Sequence, residues 1–322
     1  MIIIGENIHC SRVVKAGGPR CAKLADGSLR ITWGATGNDS ASFAVPAELA
    51  GAKVKHVIAA LQVARAGGAE SAAAQDYFVW LARQQELAGA HYLDVNVDEY
   101  SLDKEKNANA MRWLATFLAG QTCLPLSLDS SSTAVLRAGA AAAPAAGPNW
   151  LLNSASLERL DVLDLAAATG AAVLCSGAGA EVLPQTAAER VAALEPVVAA
   201  AQERGLPPNR LFLDPLVLPI GVDPLQGMAF LDACHELRQR QDPAVQVVGG
   251  ISNVSYGMPE RRLLNRRFLK LAQAAGLTAA IYDPLQLTPG SWTPELIGAA
   301  DRVLTGDDAF AADFFAIVRG ET

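Results

Sequence analysis

Eight short apolar runs recur along the chain, each ending in or beside a polar residue. They are Ile2–Glu6, Tyr92–Val97, Leu124–Ser130, Trp150–Ser154, Ala172–Ser176, Leu211–Leu216, Val245–Ser252 and Ala279–Asp283. A strand covered by helices on both faces reads as a nearly unbroken apolar run, because neither face meets water. The intervening segments are long enough for helices, and most are rich in Ala and Leu with charges at helical spacing. Eight such β-then-α units predict an α/β fold, the (β/α)8 TIM barrel. In that fold the C-terminal strand ends converge on one mouth. Glu6, Asp94, Asn96, Asp129, Asn153, Asp214, Asn253 and Asp283 are expected there. Carboxylates and amides, with almost no Lys or His among them, suit a planar heterocycle rich in N–H donors.

The period breaks once. Glu6 and Asp94 end successive runs but lie much further apart than other neighbours, and the helix feeding the second strand is Ala72–Ala88, stopped by Gly89. Residues from about 9 to 68 therefore form an insertion after strand one. Within it, Leu29–Trp33 and Ser42–Pro46 flank GATGNDS and predict a β-hairpin, and Lys53–Ala66 predicts an extra helix. Ile31, Trp33, Phe43 and Val45 need a surface to cover. The insertion is expected beside the mouth or at a subunit contact, where it would help choose a protein partner. The Ala-rich stretch Ala138–Ala146 reads as a helix end and its connection before Pro148, and LIGAADRVL and FAADFFAIV supply the last helices. No linker or second domain is evident, so residues 1–322 are expected to form one barrel domain with its insertion.

Composition narrows the function. A chain of 322 residues, 51% hydrophobic, can bury a large core. Its 26 basic and 33 acidic residues give a net charge of −7, which argues against a nucleic-acid or anionic-membrane surface. Five cysteines without a C-x-x-C pair read as core thiols of a reducing cytosol, and no metal-ligand spacing joins them to the four histidines. The opening MIIIGENIH reads as a first strand rather than a signal sequence, and a soluble cytoplasmic protein is expected.

Four strand ends carry the chemistry. In LDVNVD, alternation sends Asp94 and Asn96 to one side. LSLDSS, LLNSAS and LFLDPLVLP end on Asp129, Asn153 and Asp214. An ionised carboxylate only accepts, so Asp129 and Asp214 suit ring N–H and exocyclic NH2 groups, whereas Asn153 can read a lactam-like edge. GGISNVSYG projects Asn253 after two glycines that permit close backbone approach. In the following MPERRLLNRRFL, Asn265 and Arg266 are the expected inward positions, beside a substrate or capping a loop. No acid with an obvious near-neutral pKa is expected at this mouth.

GENIH, LDVNVD, LSLDSS, LLNSAS, LFLDPLVLP, GGISNVS and LLNRRFL, in this order, resemble the pterin-binding TIM barrels. The likeness is greatest to the methyltetrahydrofolate:corrinoid protein methyltransferases, which are related to the folate module of cobalamin-dependent methionine synthases and to dihydropteroate synthases. It covers Met1–His9 and residues from about 76 to 318. The resemblance implies a transferase of one-carbon metabolism that moves a methyl group between N5 of methyltetrahydrofolate and the cobalt of a corrinoid, with no catalytic metal of its own. Asp129, Asn153 and Asp214 match positions that hydrogen-bond the pterin, and Asn96, Glu6 and Arg266 would line the same pocket. Asp94 and Asn253 would stabilise the charge developing at N5. Tyr256 follows SNVS where the resembled methyltransferase has Gln. The chain lacks a D-x-H-x-x-G element, so its corrinoid (cobalamin) is expected on a partner protein, and a homodimer is implied. A dihydropteroate synthase-like enzyme and a non-catalytic folate-binding subunit are the alternatives.

Overall fold

The computed structural model describes residues 1–34, 41–142, 150–178 and 183–321. In chain order, β1 (Ile2–His9) leads into five short strands. These are β2 (Val13–Lys15), β3 (Cys21–Lys23), β4 (Leu29–Trp33), β5 (Ala41–Ala44) and β6 (Lys53–Lys55). Helices α1 (His56–Ala66) and α2 (Ser71–Leu87) follow, then β7 (Tyr92–Asn96), α3 (Lys104–Ala119), β8 (Leu126–Asp129) and α4 (Thr133–Ala142). Next come β9 (Leu151–Ala155), α5 (Asp161–Thr169), β10 (Ala172–Ser176), α6 (Ala187–Glu203), β11 (Leu211–Asp214) and α7 (Gln226–Arg240). The chain finishes with β12 (Gln246–Val247), α8 (Arg261–Ala274), β13 (Ala279–Tyr282), α9 (Pro294–Thr305) and α10 (Ala312–Arg319). Eight of the strands are parallel and alternate with helices, which is the (β/α)8 barrel that the eight apolar runs predict.

The chain forms two compact units. One comprises Met1–Gly5 and Leu151–Thr322. Here β9, β10, β11 and β12 pair in parallel, and the start of β1 pairs with β13 from Ile2↔Ala279 to Gly5↔Tyr282. A bridge between Gly250 and Ile281 and the bond from Thr278 N to Val247 O join β12 to β13. All five residues of β10 are buried. Helix α6 starts in a capping box, with Thr186 and Glu189 satisfying each other's backbone N–H groups. Gly227 allows α7 to lie against Leu304 at the end of α9, since a Cβ there would collide with the Leu304 carbonyl.

The second unit is Glu6–Trp150. Strands β7 and β8 pair in parallel from Leu93↔Leu126 to Asn96↔Asp129. The insertion is mostly β structure. β3, β4 and β5 form an antiparallel sheet, whereas β2 and β6 form a separate two-stranded ribbon. Phe43, Ile31 and Trp33 are buried, and the Trp33 and Phe43 rings meet Tyr77 of α2 at centroid distances of 5.0 and 5.6 Å. The Arg20 guanidinium caps this cluster 5.3 Å over the Trp80 ring. Trp33 and Phe43 are thus covered by α2 of the same unit, a surface that the apolar pattern alone does not name.

Three other expectations need correction. The extra helix starts at His56, because Lys53–Lys55 pair with β2 instead. The seventh strand is only Gln246–Val247. Beyond its glycines the chain turns into a 3-10 helix, Ile251–Asn253, so Asn253 sits in a turn rather than at a strand end. Cys123 is exposed ahead of β8, unlike the other four cysteines. The GATGNDS turn falls largely outside the described residues, and so does the Ala-rich connection after Ala142.

Candidate functional site

In the second unit, β7 and β8 bring Asp94, Asn96, Ser127 and Asp129 together in adjacent register. Asp94 is 2% exposed and accepts a 2.6 Å hydrogen bond from Ser127 Oγ. Burial pushes its carboxyl well above the usual carboxylate range, and the neighbouring Asp129 and Glu6 push the same way. The side chain of Asn96 bridges two partners. Its Nδ2 donates to Asp129 Oδ2 at 2.8 Å, and its Oδ1 accepts from the Asp98 N–H at 2.9 Å. That assignment fixes the amide, because the backbone N–H can only donate.

The end of β1 completes this cluster. His9 Nε2 lies 3.7 Å from Asp129 Oδ2, with Ser11 Oγ 2.6 Å from the other ring nitrogen. Burial alone would lower the His9 pKa, but its hydrogen bond and charge interaction with Asp129 carry it above its ordinary value. Arg12 Nη2 lies 3.5 Å from Glu6 Oε1. Asn7 is buried with its Nδ2 on the Leu81 carbonyl and its Oδ1 without a hydrogen bond among the described residues. His9 and Arg12 correct the expectation of a cluster almost free of His and basic groups. The sequence does place both just past Glu6, but an extended β1 running to His9 was needed to reveal it.

In the first unit, Asp214 ends β11. Its Oδ1 accepts from the Leu216 N–H at 2.8 Å, and its second oxygen has no protein donor among the described residues. Burial raises its pKa to about 6 against the pull of the Leu216 N–H and of Arg190. Asp214 overturns the expectation that no acid with a near-neutral pKa lies here, and Asp94 is shifted in the same direction. The cause is desolvation, which residue type and spacing do not report. Arg190, fully buried on α6, was missed as well. It donates to the carbonyls of Pro215 and Leu216 and to Gln226 Oε1, and so clamps the turn after Asp214. Leu216 holds φ at 68°, a left-handed conformation that a leucine adopts only under such constraint.

Asn153 lies in the middle of β9 rather than at its end as expected, half-buried, with its side-chain amide unpaired among the described residues and a cis peptide to Ser154. Asn253 is exposed, and its Nδ2 lies 3.1 Å from where a Cβ on Gly250 would be. A side chain at 250 would push that amide aside by a few tenths of an ångström, so Gly250 leaves it room to sit close to the backbone. Ser255 Oγ donates to Asn265 Oδ1 at 2.6 Å, and Arg261 holds the Ser252 carbonyl at 2.8 Å, fixing the turn behind Asn253. Arg266 Nη1 donates to the Leu287 carbonyl at 2.8 Å, the loop-capping role of its two expected roles. Asp283 caps the 3-10 turn after β13 through the Leu285 N–H.

Strands β7, β8 and β11 of the (β/α)8 barrel thus carry the carboxyls Asp94, Asp129 and Asp214, while Asn153 within β9 and Asn253 in the turn after β12 carry amides unpaired among the described residues. The chain belongs to the pterin binding enzyme family, which matches residues 67–283. It is 29% identical over 208 residues to the methylcorrinoid:tetrahydrofolate methyltransferase of Eubacterium limosum, covering 62% of this chain and 73% of that protein. It is 32% identical over 246 residues to the methionine synthase of Mycobacterium tuberculosis, covering 71% of this chain but only 20% of that protein. Among solved structures, the dihydropteroate synthase of Xanthomonas albilineans in complex with 7,8-dihydropteroate matches with a TM-score of 0.53. At 22% identity, over 74% of this chain and 86% of that one, this likeness shows the fold alone. Among the described residues, no helix is long and apolar enough to cross a membrane.

Proposed function

We propose that the protein transfers a methyl group between a corrinoid carried by a separate protein and N5 of tetrahydrofolate. The observation that carries this reading is Asp94, a buried carboxyl with a raised pKa beside Asp129 in a pterin-binding enzyme. A tertiary amine is a poor leaving group, so the methyl departs from N5 only as N5 gains a proton or its equivalent. In the opposite direction, N5 must lose a proton as it takes up the methyl. A carboxyl held near the protonated state can give or receive that proton, and Asp94 serves this role. Asn253 stabilises the charge at N5 through an amide that no protein group occupies among the described residues.

Asp129, Asn153 and Asp214 hold the pterin, each through an oxygen or amide that lacks a protein partner among the described residues. Asn96 fixes the Asp129 carboxylate, and Glu6 sits with Arg12 beside Asp94. Arg266, which caps the Leu287 carbonyl, supports the loop bordering the ligand. The Eubacterium limosum relative, by its name, favours the direction from methylcorrinoid to tetrahydrofolate, as in demethylation of a small methylated compound. Like the resembled enzymes, the protein acts as a cytoplasmic homodimer. Incubating it with tetrahydrofolate and methylcobalamin, and following loss of the methylcobalamin spectrum, tests the reading. No spectral change with free or protein-bound methylcorrinoid would reject it. Condensation of a dihydropterin pyrophosphate with p-aminobenzoate would replace it with the synthase alternative.

A further inference from the structure

The insertion carries a charge the rest of the chain does not. Between His9 and Gly68 lie eight Lys or Arg against three Asp or Glu, in a chain whose total is 26 against 33. Much of this charge sits on the β2–β6 ribbon. Its register pairs Val13 with Lys55, Val14 with Val54 and Lys15 with Lys53. Val14 and Val54 are buried, so the alternation of the strands turns Val13, Lys15, Lys53 and Lys55 to the other face. Lys55 is neutralised by Glu99 at 2.7 Å. Lys15 and Lys53 are exposed, stand directly opposite each other, and have no carboxylate partner among the described residues. Like charges at facing positions of an antiparallel pair destabilise it. A bound anion would remove that cost.

The ribbon's place says which anion. It begins one residue after Arg12, which pairs with Glu6, and four residues before β2 lies His9 against Asp129. At 3.3 Å per residue, Lys15 lies about 10 Å along the strand from Arg12. An acidic protein surface would need roughly 800 Å² of contact with an apolar centre. The outward face of the ribbon offers only Val13 for that purpose. Two facing ammonium groups instead match a small, flexible, multiply charged chain.

Resting on the folate reading above, we propose that Lys15 and Lys53 bind the glutamate carboxylates of the folate tail, so that the insertion selects polyglutamylated tetrahydrofolates. Equilibrium binding of the intact protein to tetrahydropteroate, tetrahydrofolate and tetrahydropteroyltriglutamate tests this, alongside a Lys15→Gln/Lys53→Gln variant. Native protein at low ionic strength should prefer the triglutamate to tetrahydropteroate by about tenfold, as expected for a few exposed ion pairs. Raising the salt should erase that preference. In the variant the preference should vanish while tetrahydropteroate binds as before. Equal affinity of the native protein for all three compounds would overturn the proposal, as would an unchanged tail-length preference in the variant. A variant whose sole defect is a raised KM for the methylated corrinoid protein would also overturn it and assign the ribbon to that partner. Failure of the native protein to bind tetrahydropteroate at all would reject the folate reading itself.

Discussion

Replacing Asp214 with Asn separates the two jobs of this carboxyl. Its pKa of about 6 lies some two units above the ordinary value of 3.8. Because the folded-state value is the higher, the folded form is favoured most below about pH 4 and gives up that advantage as pH rises through about 6. At 1.36 kcal/mol per unit, holding Asp214 ionised at pH 8 costs the fold about 3 kcal/mol. Asparagine keeps an oxygen for the Leu216 N–H and carries no charge to desolvate. At about 2 °C per kcal/mol for a chain of this size, Asp214→Asn should raise Tm at pH 8 by roughly 5 °C and leave it unchanged near pH 3.5. Binding should move the other way. In the proposed complex an ionised Asp214 accepts from the pterin, whereas an asparagine would present an NH2 to an NH donor. Calorimetry should show tetrahydrofolate binding weakened by about 1–3 kcal/mol in the variant. The native affinity should climb from pH 5 to 7, and that climb should be missing from Asp214→Asn. A variant with native affinity and the native pH profile would refute the pterin role of Asp214. A lower Tm at pH 8 would refute the account of its desolvation.

Further outcomes follow from the same geometry. Asp94→Asn should be more stable than the native protein at pH 8, because the buried acid it replaces is disfavoured when ionised, yet it should lose most methyl transfer in a stopped-flow assay. Asn253→Ala should lower the transfer rate more than the affinity for folate, since its interaction strengthens as N5 acquires charge; an equal loss in both would make Asn253 an ordinary binding residue. Arg190→Met should destabilise the fold by about 3 kcal/mol by stranding two carbonyls and Gln226, measured by urea unfolding. It should also move the pH midpoint of folate binding above 6, because the guanidinium that holds the Asp214 pKa down is gone.

Most of the barrel could be read from periodicity, because a strand buried on both faces leaves an apolar run that little else produces. Ala172–Ser176 was predicted to the residue, and all its side chains are buried. The seventh run misled because Val245–Ser252 keeps the apolar character of a strand while Gly249 and Gly250 let the backbone leave the ladder. The insertion was harder to read for another reason. Its alternating Ile31, Trp33 and Phe43 show that a surface is covered but not which, and α2 supplies it through Tyr77. At the site, Asp94, Asn96 and Asp129 were visible as strand-end polar residues. His9 and Arg190 were not, since each acquires its role from neighbours distant in sequence, and Arg12 was not because only an extended β1 brings it against Glu6. The acidity of Asp94 and Asp214 was hidden likewise, because it arises from burial.

In the proposed reaction Asp94 handles the N5 proton during methyl exchange with a corrinoid. The most direct test is the pH dependence of single-turnover transfer between methylated corrinoid protein and tetrahydrofolate, for the native enzyme and Asp94→Asn under saturating folate. The native rate should titrate with an ionisation well above the usual carboxylate range, and the variant should be slow, with that ionisation gone. A variant that transfers methyl groups at the native rate with the native pH profile would contradict the account.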